Sequence, residues 1–519
     1  MNAGEAKAAE GHIHDFVFGH ASTHPHRPAL VDHDGRTVSY GGYREAIEEG
    51  ADRLRAHGVA PGDRVLLVAE NCLATAVLIL ACSRVGASAV PVNARLTAAE
   101  IARVTAHASP SLVVYTAHVS REALAHADEA EASSASTSVG ELRIAPHEPD
   151  RTVVAETDVA VILYTTGTTG APKGVMLTHG NLRFAARASG TLRGLVADDH
   201  LYGVLPLTHV FGLASVLMAT AWAGACVRME TRFRPDRLFA ALRAGVTVFP
   251  AVPQMHALLM EHVAAQGAER LGSDALRYVS SGAAPLDPVW KRKAEAFYGI
   301  ALQNGYGMTE STAGVCGTRN PIGRPDVSVG PPLPGVELRI APAPSNDGGR
   351  ANGSGDGVGE ILTRGPHVMR GYFRSPEETA RTIDTDGFLH TGDLGRLDAD
   401  GNLHVVGRSK ELIIRGGFNV YPPEVESALN EHPRVVQCAV VGRTIDGGDE
   451  QVLAFVECTG TDEVTEATLS AFVAERLVAY KRPSRILVVG QLPTASTGKI
   501  LKSRLLDTFA EQLVRAPPA

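Results

Sequence analysis

The sequence predicts an α/β protein made of two unequal domains, and three observations lead to that prediction. The chain has 519 residues, which is too long for a single hydrophobic core. Apolar runs typical of buried strands alternate with helical patterns over most of its length. A smaller unit with strands and helices of its own begins near Lys410. We therefore expect a large domain over residues 1–409 and a small one over residues 410–519.

The first block of alternating elements extends from about residue 28 to residue 118. Its helical patterns include residues 40–57, and an apolar stretch over residues 73–92 is interrupted by Arg84 and Gly86, which indicates a packed helix followed by a strand. The strand-like runs of this block are Arg64–Val68, Ala89–Val92 and Leu112–Tyr115. Such alternation predicts a doubly wound layer, in which helices cover both faces of a mainly parallel sheet.

A second α/β block is expected from Asn181 to about Arg277. It contains strand-like runs at Cys226–Met229 and 246–249 and a helical pattern over Pro253–Ala264. Between the two blocks, the Ala-, Ser- and Glu-rich stretch over residues 125–139 is interpreted as a helix end and a surface loop.

Beyond the second block, the glycine-rich residues 341–359 are interpreted as a mobile hairpin tip. In the small domain we expect a helix that starts at Pro422, strands over residues 435–441 and 452–457, and a helix over residues 468–478.

Composition limits the class of partner. The formal net charge is −8, and the chain has no basic stripe of the kind that binds nucleic acid, so the partners are expected to be small molecules. The six cysteines have no metal-binding or disulfide spacing, which favours a reducing compartment. No secretory signal and no membrane span are predicted, so we expect a cytoplasmic protein. A homodimer is left open.

Five histidines between residues 12 and 26 are not interpreted as a metal site. Their spacing is irregular, Pro25 and Pro28 break any helix, and only Asp15 adds a carboxylate. We expect these side chains to be solvated or to pack against other groups.

The most informative stretch follows the apolar run Val159–Leu163 and reads Tyr-Thr-Thr-Gly-Thr-Thr-Gly-Ala-Pro-Lys-Gly from Tyr164 to Gly174. Hydroxyl donors, glycines that allow close backbone approach and the charge of Lys173 suit the binding of phosphate. The spacing excludes a Walker A loop. We expect Thr165, Thr166, Gly167, Thr168, Thr169 and Lys173 to hold phosphate.

This stretch resembles the phosphate loop of the adenylate-forming superfamily, which includes acyl-CoA synthetases, luciferases and adenylation domains. Four further motifs follow in the expected order. The resemblance implies a large domain of doubly wound α/β subdomains with a β-barrel-like part, and a small mobile α+β domain. It also implies an enzyme that activates a carboxylic acid with ATP and Mg²⁺ and transfers the acyl group to coenzyme A.

The residues from Asn304 to Glu310 resemble the adenine and magnesium segment of this superfamily. The resemblance places Tyr306 on the adenine ring, Thr309 at the α-phosphate and Glu310 on Mg²⁺, with Asn304 and Gly305 beside the nucleotide. Upstream, Gly282 and Ala283 belong to a segment of small residues that borders adenine and the acyl tunnel.

Three further motifs complete the resemblance, two near the junction of the domains and one near the C-terminus. Asp393 matches the residue that binds the ribose hydroxyls, and Arg408 also touches ribose or phosphate. Lys410 matches the hinge, and Lys499 matches the lysine that bridges the substrate carboxylate and the α-phosphate.

For the second half-reaction, Gly416 and Gly417 match the loop that lets the thiol enter after the small domain rotates about Lys410. The resemblance assigns Lys499, Glu310, Thr166, Lys173 and His209 to catalysis, and His209 to gating of the acyl pocket. Arg232 is a weak candidate for a contact with a CoA phosphate, because an ordinary surface arginine fits this position better.

Two glycines, Gly307 and Gly305, indicate the size and charge of the carboxylic acid that this chain would bind. Acetyl-CoA synthetases carry tryptophan where Gly307 stands, so the glycine is interpreted as leaving depth for a longer acid. Malonate-activating relatives carry arginine in place of Gly305, so a neutral tail is expected. Residues 407–422 are more like fatty-acyl ligases, which favours a medium- or long-chain fatty acid. An aromatic acid of the coumarate or benzoate type remains an alternative, as does a stand-alone enzyme that loads a carrier protein.

Overall fold

The structure is a computed structural model. It describes residues 11–150, 157–166, 172–283, 286–342, 357–416, 418–445, 449–458, 464–494 and 500–514.

Two eight-stranded sheets form the framework of the large domain. The first has the order β15-β14-β13-β12-β10-β11-β1-β2, and its six central strands are parallel to one another. The antiparallel strands β15 and β2 form its edges. Its strands are β1 (Pro28–Val31), β2 (Thr37–Ser39), β10 (His200–Gly203), β11 (Cys226–Met229), β12 (Val248–Ala251), β13 (Tyr278–Ser281), β14 (Leu302–Tyr306) and β15 (Cys316–Gly317).

The second sheet has the order β18-β9-β8-β4-β3-β5-β7-β6, with a parallel centre from β8 to β5. Antiparallel pairing adds two strands on each side of this parallel centre: β9 and then β18 next to β8, and β7 and then β6 next to β5. Its strands are β3 (Arg64–Ala69), β4 (Ser88–Asn93), β5 (Leu112–Tyr115), β6 (Ser133–Thr137), β7 (Gly140–Pro146), β8 (Val159–Thr166), β9 (Pro172–Thr178) and β18 (Gly371–Tyr372).

One helix, Leu73–Val85, explains how the two sheets share a core. All of its residues except Arg84 are buried, because the helix contributes to a hydrophobic cluster that includes strands of both sheets. A helix that is apolar on every face is expected in such a position. The other helices of the large domain are Asp15–Thr23, Tyr40–Ala56, Ala98–Ala108, Arg121–Glu129, His179–Arg193, Ala219–Ala223, Pro235–Arg243, Pro253–Ala264, Pro288–Tyr298 and Pro376–Thr382.

The part of the large domain expected to be β-barrel-like is a four-stranded antiparallel sheet with the order β16-β17-β19-β20. Its strands are β16 (Glu337–Pro342), β17 (Gly359–Arg364), β19 (Leu389–Leu397) and β20 (Leu403–Arg408). Strands β16 and β17 are the two arms of the hairpin predicted over residues 341–359, and residues 343–356 lie outside the described part.

After β20, a 3₁₀ turn over Ser409–Glu411 leads to a short hairpin of β21 (Ile413–Arg415) and β22 (Phe418–Val420). The central sheet of this region has the order β23-β24-β25. Its strands are Val435–Thr444, Glu450–Cys458 and Arg485–Val489, and its helices are Pro422–Asn430, Glu466–Ala474, Leu505–Thr508 and Ala510–Val514. Separate apolar clusters on the two faces of this sheet form the core of the α+β unit.

The prediction for residues 125–139 was right about the helix end, since the helix Arg121–Glu129 ends there, and wrong about the loop. Residues 133–137 form β6, which pairs with β7 in a hairpin at the edge of the second sheet. An edge strand of serine, alanine and threonine lacks the apolar alternation that marks a half-buried strand, so its pattern resembles that of a loop. The strand predicted over residues 246–249 begins two residues later, at Val248.

Other sequence expectations concern membranes, cysteines and metals. Within the described ranges, no helix is long and apolar enough to cross a membrane. All six cysteines are free. The same ranges contain no group of three or more His, Cys, Asp or Glu side chains that could hold a metal ion. His14 is instead buried and hydrogen-bonded to Ser83 at 2.8 Å, in agreement with a packing role.

Candidate active site

The candidate site lies where parallel strands of the first sheet end. Strands β13 and β14 are paired and end at Ser281 and Tyr306, so the residues that follow both strands meet at one edge of the sheet. The edge beyond the carboxyl ends of parallel strands is a common place for ligands in α/β proteins. The backbone N–H of Met369, just before β18 of the second sheet, donates to the carbonyl of Glu310 at 2.8 Å. This contact joins the two sheets at the site.

The predicted phosphate loop includes the facing ends of two paired strands. Strand β8 pairs antiparallel with β9, and the last pairs of the register are Thr165 with Lys173 and Thr166 with Pro172. A Walker A loop leads from a strand into a helix, so this geometry agrees with its exclusion from the sequence. The loop residues Gly167, Thr168 and Thr169 lie outside the described residues.

Lys173 is held beside the hairpin by an acidic partner. Its Nζ donates to Oε2 of Glu378 at 2.6 Å, and the same nitrogen lies 5.2 Å from the centre of the Tyr372 ring. The Lys173 ammonium lowers the pKa of Glu378, because the carboxylate is favoured next to a positive charge. The predicted phosphate-binding lysine therefore has a carboxylate as its partner in this structure.

Glu310, the predicted magnesium ligand, is buried in a 3₁₀ turn over Thr309–Ser311. The Tyr372 hydroxyl donates to its Oε1 at 2.9 Å. Burial, followed by the nearby Glu310 charge, raises the pKa of Tyr372, so the phenol stays protonated as a donor. A single carboxylate fits Mg²⁺ when phosphate oxygens and water supply the other ligands, which is the usual arrangement at a nucleotide site. Thr309 is buried in the same turn.

The predicted adenine and ribose residues are in direct contact. The Tyr306 hydroxyl donates to Oδ2 of Asp393 at 2.5 Å, and Nε of Arg408 lies 3.1 Å from Oδ1 of the same carboxylate. Asp393 and Arg408 are paired across β19 and β20, which explains how residues 15 positions apart come together. Burial, followed by the Asp393 charge, raises the pKa of Tyr306 well above its usual value. Three residues from two sheets thus form one cluster.

Asn304 and Gly305 are positioned by backbone contacts. The Asn304 amide donates to the Ser328 carbonyl at 3.1 Å, and its Oδ1 accepts from the Gly305 N–H at 2.9 Å. A side chain at position 305 would begin 3.1 Å from the Cys316 carbonyl oxygen, so glycine fits this narrow gap.

Gly282 faces the ring of Phe211. A Cβ atom added to Gly282 would lie 3.0 Å from Cε1 of that ring, which is tighter than ordinary contact. The next residue, Ala283, has φ of 66°, in the left-handed region that non-glycine residues seldom adopt. Residues 284 and 285 lie outside the described part of the chain.

His209 stands just before an unusual helix. Residues Phe211–Met218 form a π-helix, a form often found at functional sites. The half-buried His209 accepts a hydrogen bond at Nδ1 from the backbone N–H of Phe211, at 3.3 Å. The sequence did not predict the π-helix, which places Phe211 next to Gly282.

The interpretation of Gly307 as open depth is wrong in this structure. A Cβ atom at position 307 would lie 1.5 Å from the carbonyl oxygen of Ala313, so backbone already fills that space. Glycine is required here because two segments of main chain cross in contact.

In the C-terminal region, the structure describes part of the predicted set. Gly416 has φ of 56° in the turn of the β21–β22 hairpin, and its N–H donates to Asp449 at 2.7 Å. Gly417 and Lys499 lie outside the described residues. Lys410 is exposed in the 3₁₀ turn between the four-stranded sheet and this hairpin. Arg232 is paired with Glu70 and Glu122, so two carboxylates already bind the guanidinium.

Sequence reasoning missed three residues of the site: Tyr372, Glu378 and Phe211. Tyr372 and Glu378 lie outside every motif of the family resemblance, and Glu378 contacts Lys173 across 205 positions of the chain. Phe211 lies two residues after His209, but no role was predicted for it. The acidic start of the helix at Pro376 was visible in the sequence, but nothing local indicates its partner.

Residues 17–373 match the AMP-binding enzyme family, and residues 424–499 match the AMP-binding enzyme C-terminal domain. The chain belongs to this family. Feruloyl-CoA synthase of Amycolatopsis sp is 34% identical over 491 residues, covering 93% of this chain and 96% of that protein. The 4-coumarate-CoA ligase 1 of Narcissus pseudonarcissus is 32% identical, covering 96% and 94%.

Solved structures agree with the fold. ATP-bound MatB from Rhodopseudomonas palustris is 30% identical, covers 97% of this chain and 100% of its own, and aligns with a TM-score of 0.81. The apo form of that protein is 31% identical, covers 96% of this chain and 99% of its own, and aligns with a TM-score of 0.71. MenE from Bacillus subtilis in complex with ATP and magnesium is 28% identical. It covers 94% of this chain and 98% of its own, and it aligns with a TM-score of 0.79. The predicted fold class and the predicted enzyme class, an AMP-forming acid–CoA ligase, are confirmed.

Proposed function

We propose that this chain uses ATP and Mg²⁺ to join an aromatic carboxylic acid of the hydroxycinnamate or benzoate type to coenzyme A. The observation that carries the proposal is the similarity to feruloyl-CoA synthase and 4-coumarate-CoA ligase over nearly the whole length of each chain. It favours the aromatic alternative over the fatty acid that residues 407–422 suggested. The contact between Phe211 and Gly282 supports it, because a flat ring beside a small residue suits an aromatic substrate.

In the first half-reaction the cluster around Asp393 would position the nucleotide. Its carboxylate, which Tyr306 and Arg408 contact, is a strong acceptor and would bind the ribose hydroxyls. Thr165, Thr166, Thr309 and Lys173 would donate to phosphate oxygens, together with Gly167, Thr168 and Thr169 of the predicted phosphate loop. Gly282, Ala283, Asn304 and Gly305 would border the base and the acyl group.

Glu310 would hold Mg²⁺, which neutralises phosphate charge when bound. A carboxylate oxygen of the acid then attacks the α-phosphorus, and the bond to pyrophosphate breaks. Lys499 would stabilise the charge that develops between the two reacting groups, and His209 would gate the acyl pocket.

The second half-reaction requires a different arrangement of the domains. We propose a boundary between residues 409 and 410, with rotation about Lys410 bringing Gly416 and Gly417 to the site for entry of the CoA thiol. A Lys410→Pro variant, in which the hinge φ is fixed, should keep pyrophosphate release and lose thioester formation.

The substrate is tested with purified protein, ATP, Mg²⁺ and CoA, and with ferulate, 4-coumarate, benzoate, octanoate and palmitate in parallel. Pyrophosphate release and loss of free CoA thiol are measured for each acid, with Lys499→Ala as the inactive control. The highest kcat/KM is expected with an aromatic acid. A higher value with octanoate or palmitate would overturn the aromatic proposal, and pyrophosphate release without thiol loss would indicate transfer to a carrier protein.

A further inference from the structure

The π-helix Phe211–Met218 is held at two points. At the first, a Cβ atom added to Gly212 would lie 2.3 Å from the Pro206 carbonyl oxygen, so two segments of main chain are in contact there. At the second, the Ser215 carbonyl accepts a hydrogen bond from Nη1 of Arg193. Only the second contact depends on a side chain, so it is the one that a substitution can release.

The Ser215 carbonyl is not bonded as it would be in an α-helix. In that form the Ala219 N–H would donate to it, but here this N–H donates to the Val216 carbonyl. A buried carbonyl without a donor is costly, and a charged donor forms a stronger hydrogen bond than a neutral one. Arg193 therefore supplies a donor at the position where the α-helical hydrogen bond is lost.

Arg193 is a buried cation at the end of the helix His179–Arg193. Within the described residues, no carboxylate forms an ion pair with its guanidinium. Burial lowers the pKa of this guanidinium, and the nearby Tyr278 phenol, which also hydrogen-bonds to it, partly offsets the effect. A buried charge is costly unless it is well hydrogen-bonded, so the contacts with Ser215 and Tyr278 account for its presence here.

Arg193 connects the two elements that meet at the candidate acyl pocket. Tyr278 is the first residue of β13, which ends just before Gly282. Ser215 belongs to the π-helix that begins at Phe211, and a Cβ atom added to Gly282 would lie 3.0 Å from that ring. The guanidinium thus joins the π-helix to β13, and the same two elements lead to the ring and to the glycine that faces it.

We propose that Arg193 is a positioning residue for the acyl pocket, an inference that rests on the proposed function. By holding the π-helix against β13, Arg193 fixes the gap between the Phe211 ring and Gly282. A fixed, narrow gap favours an acid with a flat ring over an acid with a thicker ring. Without the guanidinium the π-helix shifts, the Phe211 ring moves with it, and this preference decreases.

Benzoate and cyclohexanecarboxylate test the proposal, because they differ mainly in the thickness of the ring. The kcat/KM for each acid is measured by pyrophosphate release with ATP and Mg²⁺. The readout is the ratio of the two values, which does not depend on the fraction of active enzyme. The wild type should prefer benzoate. Arg193→Met should lower the ratio about three- to tenfold, less than the largest discrimination that one methylene group gives in an apolar pocket, and leave the KM for ATP unchanged.

Two further variants separate positioning from a general loss of structure. Arg193→Lys keeps a charged donor and should recover part of the ratio. Arg64→Met is the matched control, because Arg64 is also buried and donates to the main-chain carbonyls of Ala108 and Ser109, but lies in the second sheet. Its ratio should equal that of the wild type. A decrease in Arg64→Met as large as in Arg193→Met would overturn the proposal.

A double-mutant cycle shows whether Arg193 acts through Phe211. In a Phe211→Ala background, Arg193→Met should leave the ratio unchanged, since the ring that it positions is absent. An equal decrease in both backgrounds would overturn the proposal, as would an unchanged ratio in Arg193→Met alone. If Arg193→Met does not fold, Tyr278→Phe takes its place in the cycle, because it removes one contact of the guanidinium and keeps the ring.

Failure of the proposed function would be seen in the wild type alone, as a higher kcat/KM with octanoate or palmitate than with any aromatic acid. If the wild type turns over neither benzoate nor cyclohexanecarboxylate, the ratio is taken from their Kd values, measured by calorimetry with the full-length chain. A Kd ratio that falls in Arg193→Met and not in Arg64→Met would support the positioning role. Absence of binding to both acids would overturn it.

Discussion

The Tyr306 hydroxyl lies 2.5 Å from Oδ2 of Asp393, although the two residues belong to different sheets. Tyr306 ends a parallel strand of the first sheet, whereas Asp393 lies within the four-stranded antiparallel sheet. The hydrogen bond therefore joins the expected adenine-binding residue to the expected ribose-binding residue. Because Tyr306 contacts Oδ2 and Arg408 contacts Oδ1, the two residues together fix the orientation of the carboxylate.

Replacing Tyr306 with phenylalanine tests this relationship. The substitution keeps the ring but removes a hydrogen bond to a buried carboxylate, so the free energy of unfolding should fall by about 1.5–3 kcal/mol. The KM for ATP should rise less than in Asp393→Ala, which removes the ribose acceptor itself. Denaturant unfolding and ATP kinetics measure the two effects. An unfolding free energy equal to that of the wild type would contradict the structural importance of the bond.

The Tyr372 hydroxyl is expected to set the magnesium requirement. Tyr372→Phe leaves Oε1 of Glu310 without its phenol donor while keeping the ring next to Lys173. The Mg²⁺ concentration for half-maximal pyrophosphate release should therefore rise several-fold, as is typical when a partner of a metal ligand is lost.

Tyr43→Phe is the matched control for this experiment. The Tyr43 hydroxyl is buried and has no hydrogen-bond partner within the described residues, so its removal should leave the Mg²⁺ dependence unchanged. The same Mg²⁺ dependence in both variants would rule out a role for Tyr372 in holding Glu310.

Buried histidines should make the protein less stable in mild acid. Burial lowers the pKa of His179 to about 3 and the pKa values of His14, His256 and His367 to about 4. Because an unfolded histidine titrates near 6.5, the unfolded state binds more protons as the pH falls from about 6.5 towards 4. Stability should therefore decrease across that window.

Thermal unfolding at pH 7.5, 6.0 and 5.0 measures this effect, and Tm should fall at each step. His179→Asn removes one of the titrating groups, and its Tm should depend less steeply on pH than that of the wild type. Equal slopes for the two proteins would show that His179 does not contribute.

Gly282→Ala should weaken binding of the carboxylic acid and leave binding of ATP unchanged. The new methyl group would lie 3.0 Å from the Phe211 ring, which must move by a few tenths of an ångström. The KM for the aromatic acid should increase while the KM for ATP stays constant. Gly19→Ala, where an added Cβ meets nothing within 4 Å, should change neither constant. A rise in the KM for ATP alone would contradict a position at the acyl pocket.

Local sequence patterns predicted the elements with strong apolar signals. The helix Pro253–Ala264 and the strand Leu112–Tyr115 have the predicted limits, because proline at a helix start and a run of β-branched residues are local signals. The edge strand Ser133–Thr137 was missed because neither of its faces carries an apolar pattern.

The sequence predicted only those residues of the site that belong to motifs of the family. The motif residues Tyr306, Asp393 and Arg408 were named from the sequence, and the structure brings them together. Glu378 and Tyr372 were not named from the sequence. Glu378 contacts Lys173 across 205 positions and Tyr372 contacts Glu310 across 62, and such contacts depend on how the sheets pack and not on local sequence. The π-helix at Phe211 was also invisible, since its i→i+5 bonds leave no distinct pattern of residue types.

The crossing of main chain at Gly307 affects how this enzyme could acquire new substrates. Any side chain added at that position would meet the carbonyl oxygen of Ala313, which belongs to the main chain and not to a movable side chain. A shorter acid therefore cannot be selected by a point mutation there unless residues 313 and 314 are rebuilt at the same time. Directed evolution of this enzyme would advance more readily through Phe211 and Gly282, where the neighbouring atoms belong to a ring that can turn.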